Sequence, residues 1–182
     1  MIDGKHVICV FGSSHPAEGS EEYMTALHLG RSLAQAGFHV CNGAYGGTME
    51  ASARGAKEGG GTTLGIVLRH APEPNRWIDN TIVAETLIDR LATLIRTGDG
   101  YVVLRGGTGT LLELSAVWEF MNKRAIVPKP VVVLGWEELL RALRSTFISE
   151  GQSGALELVS SARSVEECVS LFINSFRMRN EI

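Results

Sequence analysis

The 182-residue chain is 45% hydrophobic and carries a formal net charge of −3. That length and apolar content suit one domain with a substantial core. A mildly acidic chain has no general attraction to nucleic acid or an anionic membrane surface, so an anionic ligand must be held by a local site, and a small molecule is the expected partner.

Apolar runs bounded by Gly, Pro or Asn alternate with longer segments of helical period, the pattern of βαβ units around a parallel sheet. Residues 6–11 read as a first strand, and the start MIDGKHVICVFGSS has an apolar run too short for a signal peptide. Residues 21–36 read as a helix with Met24, Leu27 and Leu33 facing inward, stopped by Gly37. A strand over 38–42, a helix over 48–58 ended by three glycines, and a strand over 62–68 follow. The segment 69–80, RHAPEPNRWIDN, reads as a loop. Next come a helix over 85–96, a buried strand over 101–104 and a helix over 110–122 with Leu111, Leu114, Trp118 and Met121 on one stripe. Pro128 and Pro130 precede the strand VVVLG, and helices over 137–149 and 165–177 flank the turn GQSG. With right-handed crossovers these elements make an α/β, Rossmann-like, doubly wound parallel sheet with helices on both faces. Residues 1–182 then form a single nucleotide-binding domain whose ligand sits beyond the carboxyl ends of the strands. No run approaches a membrane span, and the expected location is cytoplasmic.

Three strand-to-helix junctions are rich in glycine and hydroxyl residues: FGSSHPAEGS, NGAYGGTME and RGGTGTLLE. All three belong at one edge of such a sheet. Glycine lets the backbone approach a ligand, and a helix start offers unpaired N–H groups at the positive end of its dipole, so together they suit a phosphate. The candidate binding residues are Gly12, Ser13, Ser14, Gly43, Tyr45, Gly46, Gly47, Thr48, Arg105, Gly106, Gly107, Thr108, Gly109 and Thr110. No GxxxxGK[ST] and no GxGxxG after the first strand are present, and the second strand ends in CNG without the acidic residue that holds a nicotinamide ribose. Those absences disfavour ATP and NAD and favour a nucleoside monophosphate or a similar phosphate ester. The five histidines lack HxxxH or HExxH spacing, so neither a metal site nor a cofactor is expected. Cys9, Cys41 and Cys168 fit neither a disulfide framework nor a zinc site, and they read as small hydrophobes.

RGGTGTLLEL closely resembles the PGGxGTxxE signature of the LOG phosphoribohydrolases, a family once called lysine decarboxylases. GAYGGTMEASARGAKEGGGTTLGI resembles that family's second glycine loop and helix, and VFGSS its first turn, so the likeness runs from about Val7 to Leu134. The resemblance implies a Rossmann-like fold, a homodimer, and hydrolysis of the N-glycosidic bond of a nucleoside 5′-monophosphate to free base and ribose 5-phosphate. It also implies a catalytic arginine and glutamate, which fall here on Arg90 and Glu113. Relatives in the same superfamily that bind molybdenum cofactor, a pterin phosphate, imply the alternative of a carrier or sensor that turns nothing over.

The chemistry suits these residues. Cleaving an N-riboside builds positive charge on the sugar, which a carboxylate at Glu113 stabilises while it orients or deprotonates water. A guanidinium at Arg90 can stabilise the departing base or position the phosphate. Other roles remain open from the residues alone. Thr110 to Glu113 also matches a capping box, Arg90 suits a solvated helix charge, and Tyr45 can stack on a base or pack against its loop. Glu50 is either a second carboxylate facing the site or a solvated or capping group. Two departures stand out: Arg105 replaces the signature proline, and Arg90 is followed by Leu91 where cytokinin-activating members carry an Arg-Lys pair. Cytokinin nucleotide specificity is therefore not implied. Trp118, Phe120 and Met121 lie on or near the helix that makes the dimer contact in similar proteins, and core packing explains them equally well.

Overall fold

The computed structural model describes residues 1–180, with side chains to Met178. Its centre is β1 (Val7–Phe11), a wholly buried strand whose side chains alternate between the two faces of the sheet. Ile8 and Val10 join one apolar core, and Val7, Cys9 and Phe11 join the other. The same alternation runs through β5 (Gly100–Val103) and β6 (Val131–Leu134), where Val102 and Val132 point one way and Tyr101, Val103, Val131 and Val133 the other. Strands buried on both faces need helices on both faces, which is why they read as continuous apolar runs.

The sheet has seven parallel strands in the order β4-β3-β2-β1-β5-β6-β7. From β1 the chain passes through α1 (Glu21–Gln35), β2 (His39–Asn42), α2 (Thr48–Glu58), β3 (Thr63–Leu68) and β4 (Asn80–Ala84), working outward. It then returns through α3 (Leu87–Thr97) to β5 beside β1, and runs out the other way through α4 (Thr108–Asn122), β6, α5 (Glu137–Ser149), a 3-10 helix (Ser153–Leu158), β7 (Ser160–Ala162) and α6 (Val165–Asn180). The order reverses between β1 and β5, so the loops leaving their carboxyl ends splay apart and open a crevice there. α1, α2 and α6 cover one face, and α3, α4 and α5 the other.

The doubly wound parallel sheet is as expected, and the differences lie at its edges. Two strands extend it beyond the five read from the sequence. β4 takes the last residue of the expected loop, Asn80, into a strand paired with β3 from Leu64↔Asn80 to Leu68↔Ala84. β7 is three residues long. The 3-10 helix takes up the last two residues of the GQSG turn. α3 starts two residues later than expected, at Leu87 after a Thr86–Asp89 capping box, and α4 starts two residues earlier, at Thr108. Met24 and Leu111, expected to face inward, are exposed. The inward stripe of α4 is Leu114, Val117, Trp118 and Met121, while Phe120 faces out.

Candidate active site

The crevice is built from the starts of α2 and α4 and the loop after β1. At the end of β2 the buried Asn42 folds the chain back. Its Oδ1 accepts from Ala44 N at 2.8 Å, and its Nδ2 donates to Met49 O at 2.8 Å and to Ser52 Oγ at 3.1 Å. This clamp holds Ala44 at a φ of +64°, a left-handed conformation that a non-glycine residue keeps only when its surroundings fix it. Gly47, also at +64°, lies so close to the Ser13 carbonyl that a Cβ would collide with it. Thr48 then donates to that carbonyl twice, from its N–H at 2.9 Å and its Oγ1 at 3.0 Å. The first and second glycine loops are thereby locked together.

α2 and α4 both begin on glycine, at Gly47 and Gly107, and neither has a side-chain cap, whereas α1 is capped by Ser20 and α3 by Thr86. An uncapped helix start leaves amides in need of an acceptor. A Cβ at Gly107 or Gly109 would meet nothing within 4 Å, so packing inside the chain does not demand glycine at either position. At Gly106 a Cβ would strike the Thr110 side chain, and Thr110 is buried beneath the loop.

Arg90 and Glu113 meet behind these loops. Arg90 projects from α3 and is 8% exposed. Its Nε donates to the Ile66 carbonyl at 2.9 Å, and its guanidinium lies 5.3 Å over the Tyr45 ring and 3.5 Å from Glu113 Oε1. Gly43 makes room for it, since a Cβ there would overlap the guanidinium. Glu113 sits in the second turn of α4, and burial pushes its carboxyl up to about 7 against the opposing pull of Arg90. A long pair of this kind compensates only part of the desolvation, and it leaves a carboxylate able to take or hold a proton near neutrality. The capping role open to Glu113 is not what forms: α4 begins at Thr108, one turn too early for Thr110 to be its cap, and the capping box lies on α3 instead.

Arg105 does not stand free. It pairs with Glu138 of α5, and it borders a cavity of about 360 Å³ with Ser13, His15, Ser20, Glu22 and Gly106. The Ser13 hydroxyl lies 3.3 Å from His15 Nδ1 and accepts from His15 N at 3.1 Å. A second cavity, about 680 Å³, is lined by Ser14, Tyr45, Gly46 and Glu50 together with residues 70–73 and Asn75 of the segment after β3. Asn75 lashes that segment to the second glycine loop: its N donates to Ala44 O and its Nδ2 to Tyr45 O, both at 2.9 Å. Arg90 and Glu113 do not line this cavity. Tyr45 connects them to it, since its ring lies 5.3 Å from the Arg90 guanidinium and the same residue lines the cavity. Asn42 and Asn75 escape sequence reasoning because each acts through turn geometry or a contact 30 residues away. Asn42, directly before GAYGG, carries the only local signal, an asparagine where a strand must turn.

Solved structures and sequence relatives fall on both sides of the line between catalysis and binding. The chain is 31% identical over 157 residues to the probable cytokinin riboside 5′-monophosphate phosphoribohydrolase LOGL5 of Oryza sativa subsp. japonica, a match covering 79% of this chain and 61% of that protein. It is 29% identical over 120 residues to the pyrimidine/purine nucleotide 5′-monophosphate nucleosidase of Escherichia coli, covering 59% of this chain and a quarter, 25%, of the relative. The molybdenum cofactor binding protein of the phototrophic bacterium Rippkaea orientalis superposes with a TM-score of 0.75 at 26% identity, over 94% of this chain and 97% of that one. Residues 5–169 match the SLOG cluster4 family, and the chain belongs to it.

Proposed function

We propose that the protein hydrolyses the N-glycosidic bond of a nucleoside 5′-monophosphate, releasing the free base and ribose 5-phosphate. The observation that carries this reading is the largely buried Glu113 carboxyl, raised to about 7 and 3.5 Å from Arg90, in a helix whose glycine start has no cap. The phosphoryl group takes the bare amides at the start of α4, with Ser13 and Arg105 bordering the same hollow. The sugar then lies against Glu113. Water adds at the anomeric carbon, the C–N bond breaks with its electron pair going to the base, and the proton lost by the water ends on the base. Glu113 orients or deprotonates the water and stabilises the positive charge on the ribose. Arg90, fixed by the Ile66 carbonyl, holds the carboxylate and offsets part of its burial.

Incubation with AMP, GMP, CMP, UMP and base-modified AMPs, followed by assay of base and ribose 5-phosphate, tests this. Wild type releases base and Glu113→Gln loses at least about a hundredfold in kcat/KM, as removal of an acid–base group does. Binding of a phosphorylated ligand without release from any nucleotide would favour the second reading, a carrier for a ligand such as molybdenum cofactor. Two observations speak for that reading: the end-to-end likeness to the Rippkaea orientalis protein, and an arginine, Arg105, at the mouth of the phosphate hollow. In either case the apolar side chains that α3 and α4 leave exposed, among them Leu87, Ile88, Leu112 and Phe120, suit pairing with a second copy of the chain.

A further inference from the structure

The 680 Å³ cavity has the size of a site for a bicyclic ring. Its walls are largely apolar, with Leu68, Pro72 and Leu87 among the residues that line it beside Tyr45. Three of the polar groups on it are spent. Asn75 is tied to Tyr45 O and Trp77 N, Thr86 caps α3 through Asp89, and Glu85 pairs with Arg69 on the surface. Glu50 differs from these. It is half-buried in the first turn of α2, on a rigid element, and among the described residues it makes no hydrogen bond or ion pair. Glu73, also on the cavity, is exposed on the connecting segment.

A helix start favours negative charge, and an ionised carboxylate only accepts hydrogen bonds, with two oxygens side by side. What it asks of a ring is therefore two parallel donors. Uracil offers one N–H flanked by two carbonyl oxygens. Adenine and cytosine each offer an amine beside a ring nitrogen that is itself an acceptor, so one carboxylate oxygen is satisfied and the other repelled. Guanine presents N1–H and the 2-amino group together, and so does a pterin. Both rings contain the same 2-amino-4-oxopyrimidine unit (2-amino-6-oxo in purine numbering), whose ring N–H and amino group a carboxylate takes bidentately. His70, on the same cavity, is a side chain that can donate to the adjoining oxo group.

We propose that this cavity is the ring-binding pocket and that Glu50 selects a 2-amino-4-oxo edge, presented by guanine in GMP or by the ring of a phosphorylated pterin. The proposal rests on the phosphate-ester reading of the neighbouring loops, and it holds whether or not the ligand is turned over. It accounts together for three features: a carboxylate left unpaired on a cavity wall, an aromatic ring shared between that cavity and the Arg90–Glu113 pair, and a connecting segment held down by Asn75.

IMP differs from GMP only by the missing 2-amino group, which makes the pair a direct probe. Calorimetric titration of the wild-type protein should show GMP bound at least about tenfold more tightly than IMP, the scale of one good bidentate contact. Glu50→Gln should bring the ratio to within about threefold while IMP affinity changes little, a pattern that general loosening of the fold would not produce. A 6-hydroxymethylpterin phosphate ester forms the second arm. Tighter binding than GMP, lost in Glu50→Gln, identifies the pterin as the source of the edge. Equal binding of GMP and IMP by wild type, together with no Glu50-dependent binding of the pterin ester, overturns the proposal. Failure of the hydrolase reading looks different: GMP is bound in preference to IMP, and no base is released.

Discussion

Under the proposed reaction, the burial of Glu113 sets both a pH limb of activity and a pH-dependent part of stability. Its carboxyl lies near 7 because burial penalises the charged form, and Arg90 at 3.5 Å recovers only part of the cost. If the ionised form serves the reaction, kcat/KM falls on the acid side of a limb centred near pH 7, and a limb between 4 and 5 would remove Glu113 from that role. Stability carries the same signature with a definite sign. The folded-state value lies above the ordinary 4.5, so folding favours the neutral acid; that contribution is complete below about pH 4.5 and is lost as the pH rises through about 7. Glu113→Gln is neutral throughout, and its urea-derived stability relative to wild type should therefore climb by up to about 3 kcal/mol between pH 4.5 and 8 and then level off. A flat difference across that range would mean that the carboxyl is solvated. The glutamate itself was legible in the sequence through RGGTGTLLEL. Arg90 was legible through the same resemblance; its 3.5 Å approach to Glu113, 23 residues away, was not, because that contact depends on the room left by Gly43 in the loop after β2.

Among the elements, the α1–α2 pair fixes the position of the second glycine loop. Gly30 of α1 faces the Ser52 carbonyl, and Gly55 of α2 faces the Leu27 carbonyl, each so closely that a Cβ would overlap backbone. In an exposed helix Gly→Ala gains about 1 kcal/mol of helix propensity. Here the carbonyl cannot swing aside as a flexible side chain would, and overpacking costs about 1–3 kcal/mol. Gly55→Ala is expected to lower the urea midpoint and, by tilting α2, to weaken phosphate-ester binding as well; an unchanged midpoint would show that the helices separate freely. The sequence displayed the helices and the buried strands by their periods, and it hid the sheet's edges for a physical reason. β4 offers only Ile82, Val83 and Ala84 as an apolar run, directly after the polar loop, and β7 is three residues long, so both fall short of the roughly four to eight residues by which a buried strand is recognised. The helix start at Thr108 was hidden differently. Thr110 and Glu113 imitate a capping box, and the helix begins two residues earlier on a glycine that caps nothing.

At the scale of the whole molecule, the two helices that carry Arg90 and Glu113 also present the apolar surface. Ile88 of α3 is 78% exposed, Leu87, Leu112 and Phe120 are exposed with it, and Leu112 is the immediate neighbour of Glu113. Single apolar side chains at a surface are ordinary, whereas a run of them along two adjacent helices is the composition of a contact with another chain. The charged residues that would deter association are sparse on these turns, since Asp89 is engaged in the α3 capping box and Arg90 is buried. A closed two-fold pairing on this surface would bring the second copy up to the Glu113 side of the crevice and shield the carboxyl from water. Analytical ultracentrifugation should therefore give wild type at twice the chain mass, and the double substitution Ile88→Arg with Leu112→Arg, confirmed as folded by circular dichroism, at the mass of one chain. Wild type sedimenting as a single chain at micromolar concentration would leave these side chains without an occupant, and it would mean that the crevice is complete within one copy.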